Sequence, residues 1–93
     1  MSVVIIGGHD RMVGQYKQIC KSYACKVKVF TQMAGNMKSQ IGSPDLCVLF
    51  TNTVSHKMVQ CAVDEVKHSH TEIVRSHTSS GVALKGILEK KCS

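Results

Sequence analysis

The side chains of this sequence best suited to chemistry fall in three short polar stretches. They are His9-Asp10 after Gly7-Gly8, Asn52 with Ser55-His56, and Arg75 with His77, Ser79 and Ser80. Each stretch follows an apolar run of strand length. Histidine can ligate a metal or move a proton near neutral pH. Arginine offers a fixed cation to a carboxylate or phosphate. Three histidines and an arginine reaching one place would make a ligand site, so the question is which elements would bring them there.

Ser2 to Ile6 is a continuous apolar run, as expected of a strand buried on both faces, and Gly7 to Asp10 is the turn leaving its end. Asp10 is placed to cap the next helix, whose apolar face is Met12, Val13, Tyr16, Ile19 and Cys20. Cys25 to Phe30 alternates with period two, the pattern of an edge strand whose lysines protect it. Met37 to Ile41 is a short helix ended by Gly42-Ser43-Pro44. Asp45 to Phe50 is a third strand, and Ser55 is the N-cap of a helix carrying Met58, Val59, Ala62, Val63 and Val66. Thr71 to Arg75 is a fourth strand. His77 to Gly81 is a polar loop, and the last helix carries Leu84, Ile87 and Leu88 before fraying at Lys90 to Ser93.

This βαβαβαβα order predicts one α/β domain over residues 1–93: a small open parallel sheet with helices on both faces and right-handed crossovers. The expected strand order is 2-1-3-4, a flavodoxin-like or receiver-like sheet without its fifth strand. In such sheets ligands bind beyond the carboxyl ends of the strands. The loops Gly7–Asp10, Thr51–His56 and Ser76–Gly81 should meet there, with His56 in the first turn of its helix.

Several chemistries fit poorly. A dinucleotide site wants G-x-G-x-x-G and an acid after strand 2, but the turn here is Gly7-Gly8-His9-Asp10-Arg11-Met12-Val13-Gly14, and no acid lies between Asp10 and Asp45. A phosphoryl-accepting receiver needs an Asp ending strand 3, where this chain has Phe50-Thr51-Asn52. Cys61 with His68 and His70 matches no closed zinc set, and no cysteine falls in the three loops to serve as a nucleophile. Haem is permitted by residue type: His56 or His9 for iron, Arg75 as a donor to bound gas or a propionate, and Met, Val and Leu for walls. With no C-x-x-C-H the group would be a non-covalent haem b. A non-catalytic anion- or nucleotide-binding module, with Gly7-Gly8 and Ser79-Ser80-Gly81 as backbone nests, is the competing reading.

The chain has 93 residues, 43% of them hydrophobic, and a formal charge of +6. Residues 1–44 hold all but one of their charges as Lys or Arg, Asp10 being the exception. No aromatic-basic interleaving accompanies that excess, so nucleic acid is not the expected partner. The five cysteines are odd in number and lack C-x-x-C, which suits thiols in a reducing, cytoplasmic setting. No run resembles a signal peptide or a membrane span.

Three motifs, Val3-Val4-Ile5-Ile6-Gly7-Gly8-His9-Asp10, Asp45 through Val54-Ser55-His56, and Arg75 with Ser79-Ser80-Gly81 and Leu84, carry a resemblance over nearly the whole chain. It resembles the SCHIC-type family, small bacterial receiver-like haem sensors formerly catalogued as a domain of unknown function. The resemblance implies a non-enzymatic haem protein that binds oxygen or another diatomic gas. His56 of the Val-Ser-His motif is then the first choice for the iron ligand and His9 the second. The implied cofactor-binding set is His9, His56, Arg75, Ser79 and Ser80. A homodimer is expected as well, because the last strand has no neighbour and a flat apolar ligand needs walls on both faces.

Overall fold

The structure is a computed structural model that describes residues 1–32 and 35–91, apart from the side chain of Lys38. Four strands, β1 (Ser2–Ile6), β2 (Lys26–Phe30), β3 (Leu46–Phe50) and β4 (Glu72–Ser76), form one parallel sheet in the order β2-β1-β3-β4. The helices are α1 (Val13–Ser22), preceded by a 3-10 turn at Asp10–Met12, then α2 (Met37–Ile41), α3 (His56–Val66) and α4 (Gly81–Lys91). This is the expected open α/β fold, consistent with a flavodoxin-like sheet.

The two central strands are apolar without alternation because helices cover both of their faces. Val3 and Ile5 of β1 with Val48 and Phe50 of β3 pack beneath Tyr16 and Cys20 of α1 and Leu84 and Leu88 of α4. The alternate residues Val4, Ile6, Cys47 and Leu49 pack beneath Met37 of α2 and Met58, Ala62 and Val66 of α3. Strands β2 and β4 are the edges. On β4, Val74 faces the α1/α4 core and Ile73 the α2/α3 core, so alternation puts Arg75 on the α3 side.

Five local expectations change. Strand β2 starts at Lys26 rather than Cys25, whose N–H instead donates to the Cys20 carbonyl in the turn after α1. Asp10 does not cap α1: it lies inside the 3-10 turn, and neither helix start has a side-chain cap. Its carboxylate instead accepts hydrogen bonds from the Thr31 hydroxyl and the Gln32 amide beyond β2. Asp45 precedes β3, and its carboxylate accepts the Ser2 N–H at 2.7 Å. Strand β4 starts and ends one residue later than expected, because the Thr71 hydroxyl donates to the Pro44 carbonyl and Ser76 pairs in register with Phe50. Helix α4 begins at Gly81, where a Cβ would lie 2.6 Å from Gln15 Nε2 of α1, and it continues through Lys91. The expected fraying at Cys92 and Ser93 lies outside the described residues. No helix among the described residues is long and apolar enough to cross a membrane.

Candidate functional site

The three loops are tied together at the carboxyl edge of the sheet. Gly8 N–H donates to Thr53 Oγ1 at 2.7 Å, and the Thr53 hydroxyl donates to the Phe50 carbonyl at 3.1 Å. Thr53 thus lays the β3–α3 loop against the turn after β1. A Cβ at Gly7, whose φ is +105°, would sit 2.4 Å from Val54 Cγ1. Thr51 N–H donates to the Ser76 carbonyl at 2.9 Å, which joins the ends of β3 and β4.

Tyr16 closes the third side. Its ring is fully buried, and its hydroxyl donates to the Ser79 carbonyl at 2.5 Å. Burial raises the pKa of the phenol, opposed in part by hydrogen bonding with the His9 backbone and Ser79. Gly8 is required beneath it, because a Cβ there would come within 2.6 Å of the ring. In the sequence Tyr16 reads only as part of an apolar face. Its hydroxyl role leaves no local signal beyond a polar-tipped aromatic among aliphatics.

Ser55 caps α3 as expected, accepting the Met58 N–H at 3.2 Å, and so places His56 in the first turn with its side chain exposed. His56, Val59, Gln60 and Val63 recur at i, i+3, i+4 and i+7, one helical face. That face, with Val54, Thr51 and Arg75, lines a concavity of about 360 Å³ beside the open edge of β4. The ion pairs among the described residues are Lys67–Asp64 and Lys91–Glu72. The Arg75 guanidinium therefore has no carboxylate partner among them and is available to an anion. Val59 and Val63 belong to the apolar face expected of this helix, and valine is among the residue types expected for walls; that these two share a groove with His56 and Arg75 is seen only in the structure.

The other expected site residues are placed differently. His9 lines a separate concavity of about 510 Å³ with Asp10, Arg11 and Met12, so it does not share the His56 groove. Ser79 is buried with its carbonyl on Tyr16. The Ser80 hydroxyl accepts the Ala83 N–H at 3.1 Å and so caps α4. Neither serine lines the His56 groove. His77 and Asn52 are exposed at the same edge. No group of three or more His, Cys, Asp or Glu side chains among the described residues is arranged to hold a metal, and His68 and His70 are exposed past the end of α3.

The glycine turn spends its donors internally. Gly7 N–H donates to the Phe30 carbonyl at 2.8 Å, and Gly8 N–H goes to Thr53. An anion nest needs successive amides turned outward, and these two are already bonded within the protein.

No curated protein matches this sequence, and no solved structure does. Residues 2–91 match the family described as an uncharacterized protein conserved in bacteria, DUF2325, and the chain belongs to that family.

Proposed function

We propose that this protein binds haem b non-covalently, takes up a diatomic gas, oxygen first, and serves as a cytoplasmic sensor rather than an enzyme. The observation that carries the reading is that His56 and Arg75 share one groove whose walls are Val54, Val59 and Val63. The resemblance of the three motifs to SCHIC-type proteins supports it independently of that geometry.

The donor set fits the group. An exposed imidazole suits iron, a guanidinium with no carboxylate partner among the described residues suits a propionate or a bound gas, and a valine wall suits one face of a flat apolar ring. When bound, haem supplies the iron that takes up the gas. His56, set at the start of α3 by the Ser55 cap, would hold that iron. Arg75, near the end of β4 where the Thr51–Ser76 bond holds that strand beside β3, would donate hydrogen bonds to a propionate or a bound gas. Val59 and Val63 exclude water from one side.

The groove supplies one wall, and among the described residues β4 beside it has no strand on its outer side. A second copy meeting that edge would supply the other wall, and the homodimer belongs to this proposal for that reason. Of the two nests of the competing anion- or nucleotide-binding module, the Gly7-Gly8 amides are bonded internally, which leaves it the Ser79-Ser80-Gly81 loop alone.

Titration of the full chain with hemin tests the reading. Saturable binding with a Soret band is expected, and it should be lost in His56→Ala while His68→Ala and His70→Ala bind normally. Loss in His9→Ala with retention in His56→Ala would move the iron to the other concavity. No uptake by the wild-type chain would remove haem altogether.

A further inference from the structure

Helix α1 ends in a left-handed turn that sets two cysteines side by side. Ala24 has φ 57°, its N–H donates to the Lys21 carbonyl at 2.9 Å, and the Cys25 N–H reaches back to the Cys20 carbonyl at 2.9 Å. These nested bonds are a Schellman ending, in which the residues joined by the outer bond bring their side chains together. Here those residues are Cys20 and Cys25. Standard bond lengths on either side of the outer hydrogen bond keep their Cα atoms within about 6.5 Å, inside the span of roughly 4.4–6.8 Å that a disulfide bridges. Both side chains enter the same core between α1 and the sheet, and both are thiols in this structure.

We infer that Cys20 and Cys25 are a reversible redox pair that closes to an intrachain disulfide under peroxide. Cys25 is 8% exposed and Cys20 is fully buried, so the oxidant meets Cys25 first. The Cys25 sulfur attacks one peroxide oxygen, the O–O bond breaks, and a sulfenic acid and one water form. The Cys20 sulfur then attacks the Cys25 sulfur and expels that oxygen as a second water. Two thiols and one hydrogen peroxide give one disulfide and two waters, the peroxide taking both electrons. Cys47 and Cys61 do not compete for the pairing, because they belong to the core on the opposite face of the sheet. The new bond fastens the end of α1 to the start of β2, and α1 is the helix that carries Tyr16 to the loop edge.

Peptide mapping of the full chain tests this without any substitution. The protein is treated with a small excess of hydrogen peroxide, remaining thiols are alkylated, and trypsin cuts after Lys17, Lys21 and Lys26. The expected product is peptide 18–21 linked to peptide 22–26, as the dominant cross-link, released by dithiothreitol. The oxidised chain should also melt at a higher temperature than the reduced one. Recovery of both peptides alkylated, or dominance of a cross-link through any other cysteine, overturns the pair. In Cys25→Ser, shown by circular dichroism to be folded, the linked product should disappear and Cys20 should be recovered alkylated.

Discussion

The Tyr16 hydroxyl donates to the Ser79 carbonyl at 2.5 Å, across 63 residues of chain. One buried bond thereby joins α1 to the loop before α4, on the face of the sheet opposite α2 and α3. Tyr16→Phe keeps the ring against Phe50, whose centroid lies 5.4 Å away, but leaves the carbonyl without its donor. The expected loss is about 1–3 kcal/mol, a fall in Tm of several degrees for a domain of this size. An unchanged melting temperature would mean that the bond contributes nothing net.

Two glycines should respond in opposite directions to alanine. Gly7 combines a φ of +105° with Val54 Cγ1 2.4 Å from any added Cβ. Gly7→Ala should cost about 2–3 kcal/mol and displace the loop leading to His56. Gly86 lies within α4 with open space where a Cβ would go. Gly86→Ala should stabilise by roughly 0.5–1 kcal/mol through helix propensity. Urea unfolding of both variants checks the pair, and equal effects would show that the turn geometry is not what constrains Gly7.

Stability should fall in alkali. Burial pushes the Cys47 thiol up from 9.0 to about 11, so between those values the unfolded chain has released a proton that the folded chain retains. The unfolded state then binds fewer protons, and stability decreases as pH rises through the window, by on the order of 2–3 kcal/mol in total. Tyr16, also raised from 10.0, adds to the loss in stronger alkali. Denaturant midpoints across this range should decline less steeply in Cys47→Ala than in the wild type. Parallel curves would assign the loss to other groups.

The groove wall can be tested apart from the iron ligand. Val63 lines the groove at the same helical face as His56, so Val63→Glu places a charge where an apolar ring would lie. Hemin affinity should drop about tenfold or more, with the melting temperature of the apo chain little changed because Val63 is only half-buried. Full affinity in this variant would put the ring elsewhere.

Assembly follows from the same groove. Haem-loaded protein at micromolar concentration should scatter light as a dimer, and dilution that releases monomers should weaken haem retention. A haem-saturated wild-type monomer would show that one chain provides both walls.

The apolar runs Ser2–Ile6 and Asp45–Phe50, the period-two Cys25–Phe30 and the Ser55 cap are enough to read the strand order and the start of α3. These are short-range features: continuous burial demands a central strand, alternation an edge, and a hydroxyl before an apolar helix face an N-cap. The convergence of three loops at one sheet edge then follows from the parallel topology alone. Which side chains share a cavity does not. His9 and His56 both lie at that edge, yet His56 meets Arg75 in one groove and His9 faces another. Asp10 bonds across to Thr31 and Gln32 rather than capping its own helix, and Ser79 is turned inward by Tyr16. Such pairings depend on strand register and on where each helix settles along the sheet. Those are set by packing between elements distant in sequence, and only the folded chain decides them.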